Sequence, residues 1–164
     1  MAIWTPLPEL DQASVNTFWS RCIAADVVAA DSPLPLIIEP FGDSAEIADE
    51  LLNLIIHGPK RATAASYNEA MLEGESLPAV GALSIATDGV GRARALLRTT
   101  DIRVGPLSSV DDQFAWDEGE DDRTRDSWLR VHHEFFRRFL PTVGLMFDKD
   151  MPTVFERFEL LYAE

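Results

Sequence analysis

At Gly58-Pro59-Lys60-Arg61-Ala62-Thr63 a helix stop is followed at once by two cations and a hydroxyl. Glycine and proline make the turn rigid, so these groups leave the helix end in a restricted direction. Amines and hydroxyls so presented can bind an anion or serve nucleophilic chemistry. On local physics alone a second reading stands beside this one, in which Lys60 and Arg61 satisfy the last carbonyls of the helix. The familiar phosphate cradle, the dinucleotide glycine fingerprint, His-Glu-x-x-His and Gly-x-Ser-x-Gly are all missing. Gly42-Asp43-Ser44 imitates a hydrolase serine motif without the Asp-x-x-His such an enzyme needs, and it reads better as a helix cap. Adjacent His132 and His133 diverge by about 100° on a helix and do not form a metal site together. His132 falls on an apolar stripe and reads as a hydrogen-bonded core histidine, and His57 as a cation in a last helical turn. No metal and no cofactor is expected.

The elements that must position these residues follow from periodicity. Val15, Phe18, Trp19, Cys22 and Ile23 give one apolar face to a helix over Asp11–Asp26. Three prolines within Asp31–Pro40 make that stretch a connector or edge strand. Asp43 or Ser44 caps a second helix carrying Ile47, Ala48, Leu51, Leu52 and Ile55, which Gly58 and Pro59 end. Lys60–Ser66 shows no clear period and reads as a loop or short strand before a short helix, Tyr67–Glu73. Leu83–Ala86 alternates, Asp88-Gly89 and Gly91 turn, and Arg92–Val104 is β-compatible, so a hairpin is predicted. Ser109–Gly119 reads as a short acidic helix and Thr124–Leu140 as a long one with Trp128, Val131, His132, Phe135, Phe136 and Phe139 on one side. Thr153–Tyr162 alternates as a final strand.

Composition narrows the functional classes. The 164 residues are 46% hydrophobic and 26% charged, ordinary globular usage for one domain. No apolar run approaches the ~20 residues that cross a bilayer, and the N-terminus does not read as a secretory signal. Cys22 is the single cysteine, which excludes an internal disulfide and suits a reducing cytoplasm. The net charge is −14. A protein that coats duplex DNA needs the opposite sign, so nucleic-acid contact must be local, and no membrane partner is expected. Asp111–Asp126 concentrates the excess, with eight acids against Arg123 and Arg125. Taken singly, each of those acids reads as part of a solvated loop and helix start.

Taken in order, Phe41-Gly42-Asp43-Ser44, Gly58-x-Lys60-x-x-Thr63, Gly81, Arg98-Thr99-Thr100, Phe114-Ala115-x-x-Glu118-Gly119, Trp128-x-x-x-His132 and Met151-Pro152 resemble the ASCH domain family. The resemblance covers residues from about 35 to 162. It implies an α+β fold: a small PUA-like mixed β-barrel flanked by helices, with a cleft at the Gly-x-Lys loop. Residues 1–34 would then be an N-terminal helical extension packing on an ASCH domain over 35–164.

The same resemblance implies work on RNA or nucleosides. One branch hydrolyses the amide of N(4)-acetylcytidine, and its Lys-x-x-Thr pair and Ala-x-x-Glu glutamate match Lys60, Thr63 and Glu118. Thr63 would attack the acyl carbon, Lys60 would take its proton or steady the oxyanion, and Glu118 would orient the lysine or exchange protons with the leaving amine. Lysine works as a base only where burial outweighs a neighbouring carboxylate; otherwise it acts as a charge. Another branch is a ribonuclease on single-stranded RNA, a role that the acidic segment opposes. A third possibility is a non-catalytic module that captures RNA or a modified nucleoside. Arg61, Ser66, Tyr67, Arg98 and Trp116 complete the expected substrate-binding set, with Trp116 as a stacking surface or a packed aromatic. The expected partner is a nucleoside or single-stranded RNA; oligomeric state is left open.

Overall fold

Asp11 accepts the amide hydrogen of Ser14 and so starts the first helix, α1, at Gln12–Ala24. The computed structural model describes residues 7–74 and 76–164. After α1 come β1 (Ile37–Pro40), α2 (Ala45–His57), β2 (Ala62–Ser66), α3 (Tyr67–Leu72), β3 (Leu83–Thr87) and β4 (Ala93–Pro106). Then follow α4 (Asp112–Glu118), α5 (Arg125–Phe139) and β5 (Pro152–Ala163). Short 3₁₀ turns at Leu107–Ser109 and Leu140–Val143 flank the α4–α5 region. The five strands form one mixed sheet in the order β1-β3-β4-β5-β2. β1 runs parallel to β3, whereas β3–β4 and β2–β5 are antiparallel.

Two compact units divide the contacts. The first takes the described residues of Met1–Gly58 with Gly81–Arg98 and Glu159–Glu164; the second takes those of Pro59–Val80 with Thr99–Phe158. In the first unit, Val15, Phe18, Trp19 and Cys22 share a core with Ile85, Ala93 and Leu96, as the apolar face of α1 requires. The Asp11 amide also donates to Gly91 in the β3–β4 turn. Ser44, rather than Asp43, caps α2 through the Ile47 amide. The proline-rich connector becomes a strand only at Ile37–Pro40, at the edge of the sheet, where proline's missing donor is tolerated.

In the second unit the stretch without period, Lys60–Ser66, contains β2, pairing Ala62 with Arg157 and Thr63 with Glu156. Ala62, Phe114, Ala115, Trp128, Phe136 and Phe155 build its core, and Ala64 packs on it. Strand alternation therefore turns Thr63, between Ala62 and Ala64, to the opposite face of β2. Thr124 caps α5 at the position the sequence indicates.

Phe18→Ala removes a ring that is 1% exposed from the core of the first unit. The expected cost is roughly 3–5 kcal/mol, read by urea unfolding. A loss within the scatter of a surface substitution would mean that α1 is not integral to that core.

Candidate functional site

Lys60 is 1% exposed, an unusual place for a lysine side chain. Its Nζ donates to a carboxylate oxygen of Glu120 at 2.6 Å and to the carbonyl of Ala62 at 2.8 Å, the partners of an ammonium. That carbonyl belongs to the peptide joining Ala62 to Thr63, so the cation sits one peptide unit from the hydroxyl-bearing residue. Backbone geometry makes the arrangement possible. Asp117 accepts the Arg61 amide at 2.8 Å, which ties the end of α4 to the start of β2. Gly119 then ends α4 in the left-handed conformation, φ +70°. A Cβ there would lie 2.7–2.9 Å from the backbone of Lys60 and Pro59, so only glycine lets the two segments approach.

Glu118, also 1% exposed, stands i+3 from buried Ala115 on the inner face of α4. One carboxylate oxygen accepts from Trp128 Nε1 at 2.6 Å, and the other lies 2.9 Å from His132 Nε2. The second ring nitrogen of His132 faces the Trp128 carbonyl at 2.8 Å. Both nitrogens thus meet acceptors, which suits an imidazolium. The ring also stacks on Trp128, 3.7 Å between centroids. Burial alone would raise the Glu118 carboxyl. The charges of His132 and Lys60, with hydrogen bonds from His132 and Trp128, outweigh it and hold the group at about 2 against an ordinary 4.5. Burial would likewise lower His132, but the Glu118 charge and hydrogen bond hold it above 6.5. At Glu120 burial prevails over the Lys60 charge and raises the carboxyl. The two carboxyls shift in opposite directions, Glu118 down and Glu120, its side chain 24% exposed, up.

The fold thus gathers Lys60 and Glu118 around one buried ion cluster and adds Glu120, His132 and Trp128, none of which the sequence reading placed in the site. Two signals were present: Glu120 in the acidic run after α4, and His132 four residues from Trp128 on the same stripe. Thr63 is half-buried on the other face of β2, opposite Glu156. The remaining candidates are held by local structure. Arg61 is half-buried and its guanidinium donates to the Lys60 carbonyl. Ser66, 3% exposed, caps α3 through the Glu69 amide, and half-buried Tyr67 is the first residue of that helix. Trp116 is exposed, but the Arg123 guanidinium lies over its ring at 3.6 Å and donates to its carbonyl. Arg98 belongs to the first unit and pairs with Glu159. Among the described residues there is no cluster of three or more His, Cys, Asp or Glu side chains able to hold a metal ion. No helix among them is long and apolar enough to cross a membrane.

A mixed sheet with flanking helices and a lysine buried at the start of an edge strand define the class to which the site belongs. Residues 37–162 match the ASCH domain family model, and the chain belongs to that family. Two crystal structures are similar. One, of a protein from Enterococcus faecalis V583, is 33% identical with a TM-score of 0.81, over 91% of this chain and 88% of that one. The other, an ASCH domain from Lactobacillus crispatus JV V101, is 26% identical with a TM-score of 0.80, over 93% and 96%. The ASCH, PUA-like α+β fold with its N-terminal helix is as the sequence resemblance implies. No curated protein matches the chain.

Stability should follow the cluster's titration. Because Glu118 is lowered, its contribution is full above 4.5 and is lost as pH falls toward about 2. Because His132 is raised, its contribution is full below 6.5 and is lost as pH rises through the raised value. The melting temperature should therefore decline on the alkaline side in wild type, and His132→Gln should flatten that limb. An identical alkaline limb in the variant contradicts the assignment. Gly119→Ala, forcing alanine into a left-handed conformation against Lys60, should cost about 1–3 kcal/mol in chemical unfolding.

Proposed function

We propose that this ASCH-domain protein acts on RNA-related substrates by hydrolysing the amide of N(4)-acylated cytidines. The observation that carries this reading is the buried Lys60 ammonium set against the Ala62–Thr63 peptide and held by Glu120. A buried ion cluster is weak evidence for stability, since well-packed apolar side chains often do as well. Strongly perturbed acids around a buried amine are a feature of reactive sites. Thr63 is the nucleophile, and Lys60, bonded to the Ala62 carbonyl, fixes the peptide that presents the Thr63 hydroxyl. Glu118, with both oxygens engaged by Trp128 and His132, is an anchor that orients the cluster rather than a proton carrier.

Charge supports a neutral substrate. Lys60 and His132 offset Glu118 and Glu120, so the cluster offers no net positive field to a phosphodiester, and the chain as a whole carries −14. An acylated nucleoside pays no such penalty.

Purified protein given N(4)-acetylcytidine should release cytidine and acetate, and Lys60→Ala, which loosens the peptide carrying Thr63, should lower the rate by roughly 10²-fold, followed by chromatography. Lys60→Arg, which keeps charge but alters its geometry, should rescue little. Cleavage of a labelled single-stranded RNA without deacylation would replace this reading with a nuclease, and saturable binding without turnover would replace it with a binding module.

A further inference from the structure

Lys60, already donating to a carboxylate and a carbonyl, does not take the Thr63 hydroxyl proton, so an acceptor must lie on the face of β2 that Thr63 occupies. That face holds one. Glu156 is the direct cross-strand partner of Thr63 on β5, and directly opposed residues carry their Cβ atoms about 4.5–5.5 Å apart on one side of a sheet. From β4, Thr99, 2% exposed, donates its hydroxyl hydrogen to Glu156 Oε1 at 2.6 Å. This bond fixes one carboxylate oxygen and leaves Oε2 for another donor.

No cation among the described residues pairs with Glu156, in contrast to Glu118 and Glu120. Charged residues along these segments are committed elsewhere: on β4, Arg103 donates to Ser109. Arg61 donates to the Lys60 carbonyl, and Arg157 binds Asp117 and Asp101. Burial raises the Glu156 carboxyl, with the Thr99 hydrogen bond opposing. A carboxylate that is partly desolvated and unneutralised is a better proton acceptor than an exposed one.

We infer that Glu156, held by Thr99, is the general base that activates Thr63. The inference rests on the reading of Thr63 as nucleophile, and it deepens that reading by supplying the missing acceptor. Glu156 takes the Thr63 hydroxyl proton as the Oγ1–acyl bond forms. It passes that proton to the exocyclic nitrogen as the carbon–nitrogen bond breaks, releasing the free nucleoside and leaving acyl-threonine. Water then attacks the ester, giving its proton to Glu156, which returns it to Oγ1 as the carboxylic acid departs. Proton and acyl group balance over the cycle, and no other reactant enters.

An activated ester, p-nitrophenyl acetate, tests the base without the nucleoside. Wild type should acquire an acetyl group on the peptide containing Thr63, seen by mass spectrometry, and Thr63→Ala should not. The acetylation rate should rise with pH through one inflection above 4.5, the ordinary glutamate value. Glu156→Gln should slow labelling roughly 10²–10⁴-fold and abolish the inflection. Thr99→Val, which keeps the carboxylate but deletes its hydrogen bond, should move the inflection to higher pH, a result that stands even if Glu156→Gln fails to fold. Equal labelling in wild type and Glu156→Gln, an inflection unmoved in Thr99→Val, or no label on Thr63 overturns the inference. Labelling that depends on Glu156 with no turnover of N(4)-acetylcytidine keeps the base and removes the proposed substrate. Turnover that requires Lys60 but not Glu156 does the reverse.

Discussion

An ammonium group cannot be withdrawn from water without partners that return most of the lost solvation, and in this chain Lys60 is almost wholly withdrawn. Much of the second unit can be read as the answer to that demand. Glu120 and the Ala62 carbonyl take the donors directly. Glu118 supplies a second anion, which would itself be untenable without Trp128 and His132. Gly119 lets the end of α4 come close enough for both acids to flank the lysine, and the Asp117–Arg61 hydrogen bond holds the two segments at that spacing. Removing a charged member leaves its partner less compensated in the buried cluster.

Balanced charge has a chemical consequence. Two cations against two anions make a local field that is strong at close range and weak at a distance, since the charges cancel beyond a few ångströms. Such a cluster can act on dipoles and developing charge within contact distance while doing little to draw in a polyanion. The acid-rich segment after α4, which reads in sequence as a solvated run, divides by environment. Glu118 is anchored in the core of the unit, Glu120 touches both lysine and solvent, and Asp121 binds Ser127 and Arg130.

Strand geometry separates the functions further. Because side chains alternate along β2, Ala62 and Ala64 enter the core while Thr63 joins Glu156 on the opposite face. The lysine reaches the Thr63 segment through the backbone, at the Ala62 carbonyl. The half-buried Thr63 hydroxyl and the buried charges thus lie on different sides of the strand.

Helices were legible because their apolar periods and caps are local: α1, α2 and α5 carry three- and four-residue spacing with Asp11, Ser44 and Thr124 at their starts. The β3–β4 hairpin and the final strand were legible for the same reason. The five residues of β2 were not, since Ala-Thr-Ala-Ala-Ser has little intrinsic strand signal and becomes a strand only by pairing with β5. The ordered motifs, read as a resemblance, picked out Lys60 and Glu118. Only tertiary structure decided that Glu120, His132 and Trp128 complete their environment, and that Glu156, 93 positions beyond Thr63 by the sequence numbering, is its neighbour. Residue type and spacing along a chain specify what a side chain can do. Burial, charge pairing and cross-strand register depend on segments far apart in sequence, and these determine what it is placed to do.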